Sequence, residues 1–223
     1  MVLGRVRALS LRLERRAPPL RVERAVAVAG AGFEGDIHAD RVSPRQLLLA
    51  SASVYDAFDL PAHALRENLL LDVDTASLTS GTVLQLGEQV RIRLMFQCEA
   101  CGQLDLQRRG LARALVNRRG MLARVLEGGT IVAGDEILQL EGRMRPWSED
   151  WRERVVAVLD AVPPGQVIDY ARLARVAGIQ SSYCRAFPRL LARLGAHYAA
   201  RAVAARTPVN LPRWDGNGLF ERA

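Results

Sequence analysis

Gly81-Thr82-Val83-Leu84-Gln85-Leu86-Gly87-Glu88-Gln89-Val90-Arg91-Ile92-Arg93-Leu94-Met95-Phe96-Gln97-Cys98-Glu99-Ala100-Cys101 is the stretch whose period decides the fold of the first two-thirds of the chain. Two glycines bracket Thr82–Leu86, and Gln89–Phe96 alternates again before delivering the chain to two cysteines. A period of two places apolar side chains on one face of a strand, and a glycine turn between two such runs reads as a hairpin. The same signature recurs outward on both sides. Val6, Ala8, Leu9, Leu11 and Leu13 form a first strand. Val22 through Ala29 form a second, bounded by Pro18-Pro19 and Gly30. Arg45–Ala50 and Leu69–Leu71 read as buried strands, and a final pair lies around Gly134-Asp135. Ser51–Phe58 is a short helix or turn, and Leu111–Val116 is helical. Five or six short strands with glycine turns predict a β-barrel or sandwich-like core.

A thiol at the end of a strand, before Gly102 and a polar loop, sits where a rigid scaffold can present it. Cys98 and Cys101 are therefore candidates for a nucleophile, a sulfur carrier or a soft-metal ligand, with a packed apolar cysteine as the alternative. Structural zinc would need two further ligands, and only Cys184 and three scattered histidines are on offer. A thioredoxin-type dithiol needs a βαβ setting that this segment does not supply. Gly30-Ala31-Gly32-Phe33-Glu34-Gly35-Asp36-Ile37-His38 lacks the following helix of a dinucleotide loop. It reads instead as a loop approaching a ligand, with Asp36 and His38 facing it.

All 31 basic residues are arginine, which closes lysine Schiff-base chemistry and a P-loop lysine. The net charge of +7 points to an anionic partner. No apolar run is long enough to span a membrane and the first residues offer no signal-peptide core, so with three cysteines a reducing cytoplasm is expected.

The period changes from 2 to 3.6 after a polar, proline-terminated segment, dividing the chain into 1–141, a linker at 142–147, and 148–223. Trp147, Trp151, Val155, Val158 and Leu159 predict an amphipathic helix stopped at Pro163-Pro164-Gly165. Asp169 is placed to cap Tyr170–Ala177, closed by Gly178, and Ser181 and Ser182 to cap a third helix reaching Leu194. That pairing is a helix-turn-helix pattern. Arg185, Arg189 and Arg193 recur every four residues on one expected face, and no acidic residue occurs from 170 to 214. Such a face suits the phosphates of double-stranded DNA, the plain alternative being a solvated arginine surface.

Residues 1–141 resemble the MOSC domain, named for the C-terminal part of molybdenum-cofactor sulfurase. The resemblance rests on Gly32–His38, on Arg66-Glu67-Asn68, on Cys98-Glu99-Ala100-Cys101, and on Gly120–Val125 with Gly128-Gly129 and Gly134-Asp135. It implies a β-rich, barrel-like fold and a pocket for molybdenum cofactor (molybdopterin) or a related small ligand. Molybdenum-ion and pyridoxal-phosphate binding come with the family. Cys101 matches the family cysteine, proposed to carry sulfur as a persulfide or to contact the metal, and Ala100 replaces the proline usual before it. Gly35, Asp36, His38, Arg45, Arg66 and Asn68 are the implied cofactor-binding residues, with Arg45 or Arg66 available to a thiolate. Cys98 is an extra thiol, a candidate to resolve a persulfide.

Residues 148–223 resemble the DNA-binding domain of alkylguanine-DNA alkyltransferases and alkyltransferase-like proteins, through Val155–Tyr170, Leu173-Ala174 and Arg185-Ala186. This implies a small, α-helical, winged-helix-like domain. Arg185 would take a flipped base's place, Tyr170 would rotate a phosphate, and Arg189 would lie on the same helix. Pro188 stands where the family has glycine. The Pro-Cys-His-Arg active site is absent, which excludes alkyl transfer to cysteine, and Cys184 is read as a packed small residue. Two functions are thus expected. One is a MOSC-type protein handling molybdenum cofactor or sulfur and tethered to a DNA-binding domain. The other is a non-enzymatic protein recognising alkylated DNA, with the barrel as scaffold.

Overall fold

The alternation around residues 82–96 is the wall of a closed barrel. The computed structural model describes residues 1–15 and 17–220. The first part of the chain runs β1 (Val2–Leu11), β2 (Leu20–Val22), β3 (Arg24–Val28), β4 (Gly32–Phe33), β5 (Leu47–Ser51), α1 (Ala52–Phe58), β6 (Leu69–Leu71), β7 (Thr82–Leu86), β8 (Val90–Gln97), α2 (Leu111–Leu115), β9 (Met121–Glu127), β10 (Gly129–Val132) and β11 (Glu136–Arg143). Seven strands close in the order β11-β7-β8-β9-β5-β6-β1, with β1 pairing back onto β11. Strand β2 extends from β1, and β10-β3-β4 make a second, three-stranded sheet.

Closure explains one detail of topology that alternation alone does not. A ring with an odd number of strands cannot alternate direction throughout, so one neighbouring pair must be parallel. That pair is β5 and β6. Parallel neighbours cannot be joined by a tight hairpin, and the chain between them makes a crossover through α1 and a loop ending in Arg66-Glu67-Asn68.

Leu84 and Leu86, Ile92 and Leu94, Leu47 and Leu49 all point into one apolar interior, and none is exposed to solvent. Burying such a leucine stabilises by roughly 1.5–3 kcal/mol, so the register of each strand is held by its own inward face. A second apolar cluster forms outside the wall, where Val54 of α1 and Leu111 and Leu115 of α2 meet Leu65 and Leu104, with Ala100 partly buried against them. This cluster seats the segment after β8. Gly120 sits at φ +133°, and a Cβ there would collide with the carbonyl oxygen of Leu49. Only glycine lets β9 begin this close to β5.

Strand β11 runs on to Arg143, into the segment read as a linker. The chain forms two compact units, one of Met1–Asp40 with Arg45–Trp147, the other of Arg41–Pro44 with the residues from Ser148 onward. The second unit contains α3 (Trp151–Ala161), β12 (Ile168–Asp169), α4 (Tyr170–Ala177), a 3-10 segment at Ser181–Ala186, α5 (Phe187–Leu194), α6 (Ala196–Ala199) and β13 (Ala202–Val203). Helix α3 starts at Trp151 because Asp150 caps it, accepting from the Arg152 amide, so Trp147 is not part of the helix. Asp169 caps α4 as expected and Gly178 closes it in the left-handed conformation. Buried Arg154 donates through Nε to Ala177 O and through Nη1 to Ser148 O and Glu149 O, tying α3 to the end of α4.

Two expectations for this unit are corrected. Ser181 and Ser182 cap no α-helix: they open the 3-10 segment, and α5 begins only at Phe187 with Pro188 in its first turn. Arg185 therefore lies on 3-10 backbone, and only Arg189 and Arg193 share an α-helical face, because the two helix types differ in residues per turn. Among the described residues of this unit, β12 and β13 pair in parallel.

Candidate functional site

Four connections converge at the rim of the barrel: the one after β1, those leading into β5 and β6, and the one that joins β8 to β9. They are linked by hydrogen bonds that start from a fully buried amide, Asn68. Its Oδ1 accepts from Arg12 Nη2 and Leu48 N, both at 3.0 Å. Its Nδ2 donates to Asp36 Oδ2 at 2.8 Å and to Ser10 O at 3.3 Å. Asp36 Oδ2 also accepts the Arg12 amide, while Oδ1 accepts the His38 amide and lies 3.1 Å from His38 Nδ1. The loop carrying Asp36 is clamped by buried Gln46. Its Nε2 donates to Gly30 O and Asp40 O, and its Oε1 accepts the Val125 amide.

The electrostatics follow from this wiring. Burial alone would push the Asp36 carboxyl up, but the His38 side chain, the two backbone amides and the Arg12 guanidinium outweigh it and hold it below its ordinary value. Burial pushes the His38 imidazole down despite Asp36, so the ring is neutral near pH 7. Facing an ionised carboxylate, its Nδ1 carries the proton and Nε2 is left as an acceptor. Burial also lowers the Arg12 guanidinium, with Asp36 opposing.

The crossover supplies the next side chains. Arg66 stands at φ +59°, a left-handed conformation costing a non-glycine residue about 1–2 kcal/mol. Its Nη2 donates to Arg15 O and Ala17 O. Buried Glu67 accepts from the Tyr55 hydroxyl at 2.6 Å, and that hydroxyl accepts the Leu65 amide. Burial and then Glu67 push the Tyr55 phenol far up. The crossover is thus pinned on both sides of Arg66.

The cysteines complete the rim. Cys98 is buried, its amide donates to Gly120 O at 2.7 Å, and Arg45 Nη2 lies 3.5 Å from its sulfur. Cys101 is half-buried, and Arg119 Nη1 donates to its sulfur at 3.2 Å and to Glu99 O at 2.8 Å. The arginine at Cys101 is therefore Arg119, neither Arg45 nor Arg66, because the turn before β9 lies beside the end of β8. Arg12 feels the charges of Arg66, Arg119 and Cys98. The Nε groups of Arg12 and Arg119 are buried without a hydrogen-bond acceptor among the described residues; the former has only Asp36 Oδ2 at 3.9 Å.

Asp36, His38 and Asn68 thus come together, with the polar atoms of Asp36 and Asn68 engaged inside the protein. Gly35 makes an open turn at φ +78° beside them. Arg12 and Arg119 are the functional candidates that sequence reasoning missed. The signal was an arginine directly after the first strand and another directly before Gly120. No group of three or more His, Cys, Asp and Glu placed to hold a metal ion occurs among the described residues. Tyr170, Arg185 and Arg189 lie in the second unit: Tyr170 packs edge-on against Phe187 at 5.6 Å, and both arginines are exposed. Cys184 is half-buried, donating to Tyr170 O, and burial raises its thiol.

Residues 38–138 match the model for the MOSC domain. The MOSC likeness is thus a property of residues 38–138, under half of the chain. The match takes in His38, Arg45, Arg66, Cys98, Cys101 and Arg119, while Arg12 and Asp36 precede it. Among solved structures, the YuaD protein of Bacillus subtilis is similar at 17% identity and a TM-score of 0.54, over 61% of this chain and 94% of that one. A crystal structure of a hypothetical protein is similar at 20% identity and a TM-score of 0.53, over 87% and 90%. YiiM of Escherichia coli is similar at 20% identity and a TM-score of 0.47, over 83% and 91%. None of the curated proteins compared matches the chain. At these identities the likeness to the first two concerns the fold alone.

Proposed function

We propose that the rim of the MOSC domain binds an anionic, phosphate-bearing cofactor, molybdenum cofactor in the first place, with Cys101 as the thiol that contacts it or carries sulfur. One observation carries this reading: Cys101 sits under a guanidinium donor, among arginines whose Nε groups are buried with no acceptor. Buried donors left unsatisfied cost about 1–3 kcal/mol each, and an anion offers the missing acceptors. The residues fit such a group. Arg12, Arg66 and Arg119 supply fixed positive charge, and His38 supplies a neutral acceptor through Nε2. Asp36 and Asn68 hold Arg12 and His38 in place from behind. A bound molybdenum centre would supply oxygen-atom or sulfur transfer. Cys101 is the accessible sulfur, and a thiolate is the form that best accepts the Arg119 N–H. Pyridoxal phosphate suits the charge, but a chain without lysine has no amine to hold it as a Schiff base.

Expression in a host that makes molybdenum cofactor tests the proposal. Co-purifying molybdenum and pterin, or a sulfur adduct on Cys101, is expected, and Cys101→Ala should lose it. Finding neither in the wild-type protein overturns it.

A second reading concerns the other unit. Arg175, Arg185, Arg189, Arg193, Arg206 and Arg213 are exposed there, with no acidic residue from 170 to 214. This favours a duplex DNA partner, whether alkylated or not. A salt-dependent shift of duplex that weakens in Arg185→Ala supports it, and indifference to DNA at low salt removes it.

A further inference from the structure

Cys98 takes no part in the proposed cofactor contact, yet it is the better protected of two thiols on one short segment. It is 1% exposed while Cys101 is half-buried. Each sulfur has a guanidinium N–H at hand, Arg45 Nη2 for Cys98 and Arg119 Nη1 for Cys101. Both also gather around one carbonyl: Glu99 O lies 4.0 Å from Cys98 Sγ and accepts from the Arg119 nitrogen that holds Cys101. Glu99 and Ala100 belong to no strand or helix, so no backbone ladder resists the adjustment that a disulfide requires.

We propose that Cys98 is the resolving thiol of Cys101: it discharges a persulfide formed there and leaves a Cys98–Cys101 disulfide. The inference rests on the reading of Cys101 as a sulfur carrier. The step balances without an outside oxidant. The Cys98 sulfur attacks the Sγ of Cys101, the bond to the outer sulfur breaks, and that sulfur leaves with the two protons as hydrogen sulfide. The outer sulfur is reduced to sulfide and the Cys98 sulfur is oxidised, while the Cys101 sulfur passes from persulfide to disulfide at the same oxidation level. A thiol reductant then returns both cysteines to thiols. The difference in exposure sets the order. Solvent-borne sulfur donors reach Cys101 first, and Cys98 is reached from inside the site. The two arginines give both sulfurs a donor for the thiolate form, the species that attacks and leaves in exchange.

Inorganic polysulfide, followed by mass spectrometry of the tryptic peptide Leu94–Arg108, tests this. That peptide contains both cysteines and excludes Cys184. In the wild-type protein the peptide should pass from one extra sulfur to two hydrogens lighter, with one equivalent of sulfide released. In Cys98→Ser and in Cys98→Ala, a smaller apolar replacement that keeps the site folded, the extra sulfur should persist about tenfold longer with no sulfide burst. Equal persulfide lifetimes in wild type and both variants overturn the proposal while leaving Cys101 a sulfur carrier. A second arm uses diamide in place of polysulfide. A disulfide on this peptide with no polysulfide adduct keeps the pairing and removes the carrier reading. No disulfide under either reagent removes the pairing.

Discussion

Asn68 is the point at which the site is most exposed to a single atom's change, and Asn68→Asp makes that change. The substitution keeps the oxygen that accepts from Arg12 and Leu48. It places a second oxygen where the amide nitrogen donated to Asp36 Oδ2 at 2.8 Å. Two ionised carboxylates at that distance repel by about 6 kcal/mol at an effective dielectric of about 20. Keeping one of them protonated at pH 7, against an ordinary value near 4, costs about 4 kcal/mol. The protein takes the cheaper course, and Arg12, now facing both carboxylates, returns part of that cost. The expected loss is about 2–4 kcal/mol at pH 7, a large fraction of a typical domain's stability. The loss should shrink by about 1.4 kcal/mol per pH unit as pH falls toward 5, because the variant's folded state binds the extra proton. Urea denaturation of both proteins at pH 7, 6 and 5 measures it. A variant within about 1 kcal/mol of wild type at pH 7, or a deficit unchanged between pH 7 and 5, would refute the wiring described for Asp36 and Asn68.

Four further outcomes follow from the same geometry. His38 has a folded value below its unfolded one, so its contribution is present above about pH 6.5 and declines as pH falls from there toward the folded value. Asp36 is likewise depressed, so its contribution is lost in a second step only as pH falls below about 4. In a stability-against-pH titration His38→Gln should abolish the upper step alone. Gly120→Ala should lose at least about 2 kcal/mol in thermal or urea unfolding, well beyond Gly134→Ala, where φ is also positive but a Cβ meets nothing within 4 Å. Arg119→Gln should slow iodoacetamide alkylation of Cys101 several-fold near pH 7 without slowing that of Cys184, an effect that a global loss of structure would reverse. Tyr55→Phe should destabilise by about 1–3 kcal/mol, because it strips buried Glu67 of its hydroxyl donor; an unchanged urea midpoint would remove Glu67 from the crossover's support.

Sequence by itself determined the barrel's walls. The alternation of Thr82–Leu86 and Val90–Phe96 and the glycines between them are local properties, and inward burial of a period-two pattern leaves few other folds. It also determined the caps of α4 at Asp169 and Gly178, since a cap reads only its own first or last turn. The cysteines, the Gly32–His38 loop and Arg66-Glu67-Asn68 were legible as runs of unusual local composition. Tertiary structure alone decided how they meet. Closing seven strands forces one parallel pair, and the crossover it demands is what brings Arg66 and Asn68 to the rim beside Asp36 and Cys98. Arg12 and Arg119 were legible only as arginines beside a strand end and a glycine; what they touch, Asn68 and Cys101, is decided by the pairing of β1 with β6 and of β8 with β9. The same reason separates the two cysteines, which the sequence presents as a pair. Cys98 turns into the protein toward Arg45, and Cys101 stays at the surface beneath Arg119.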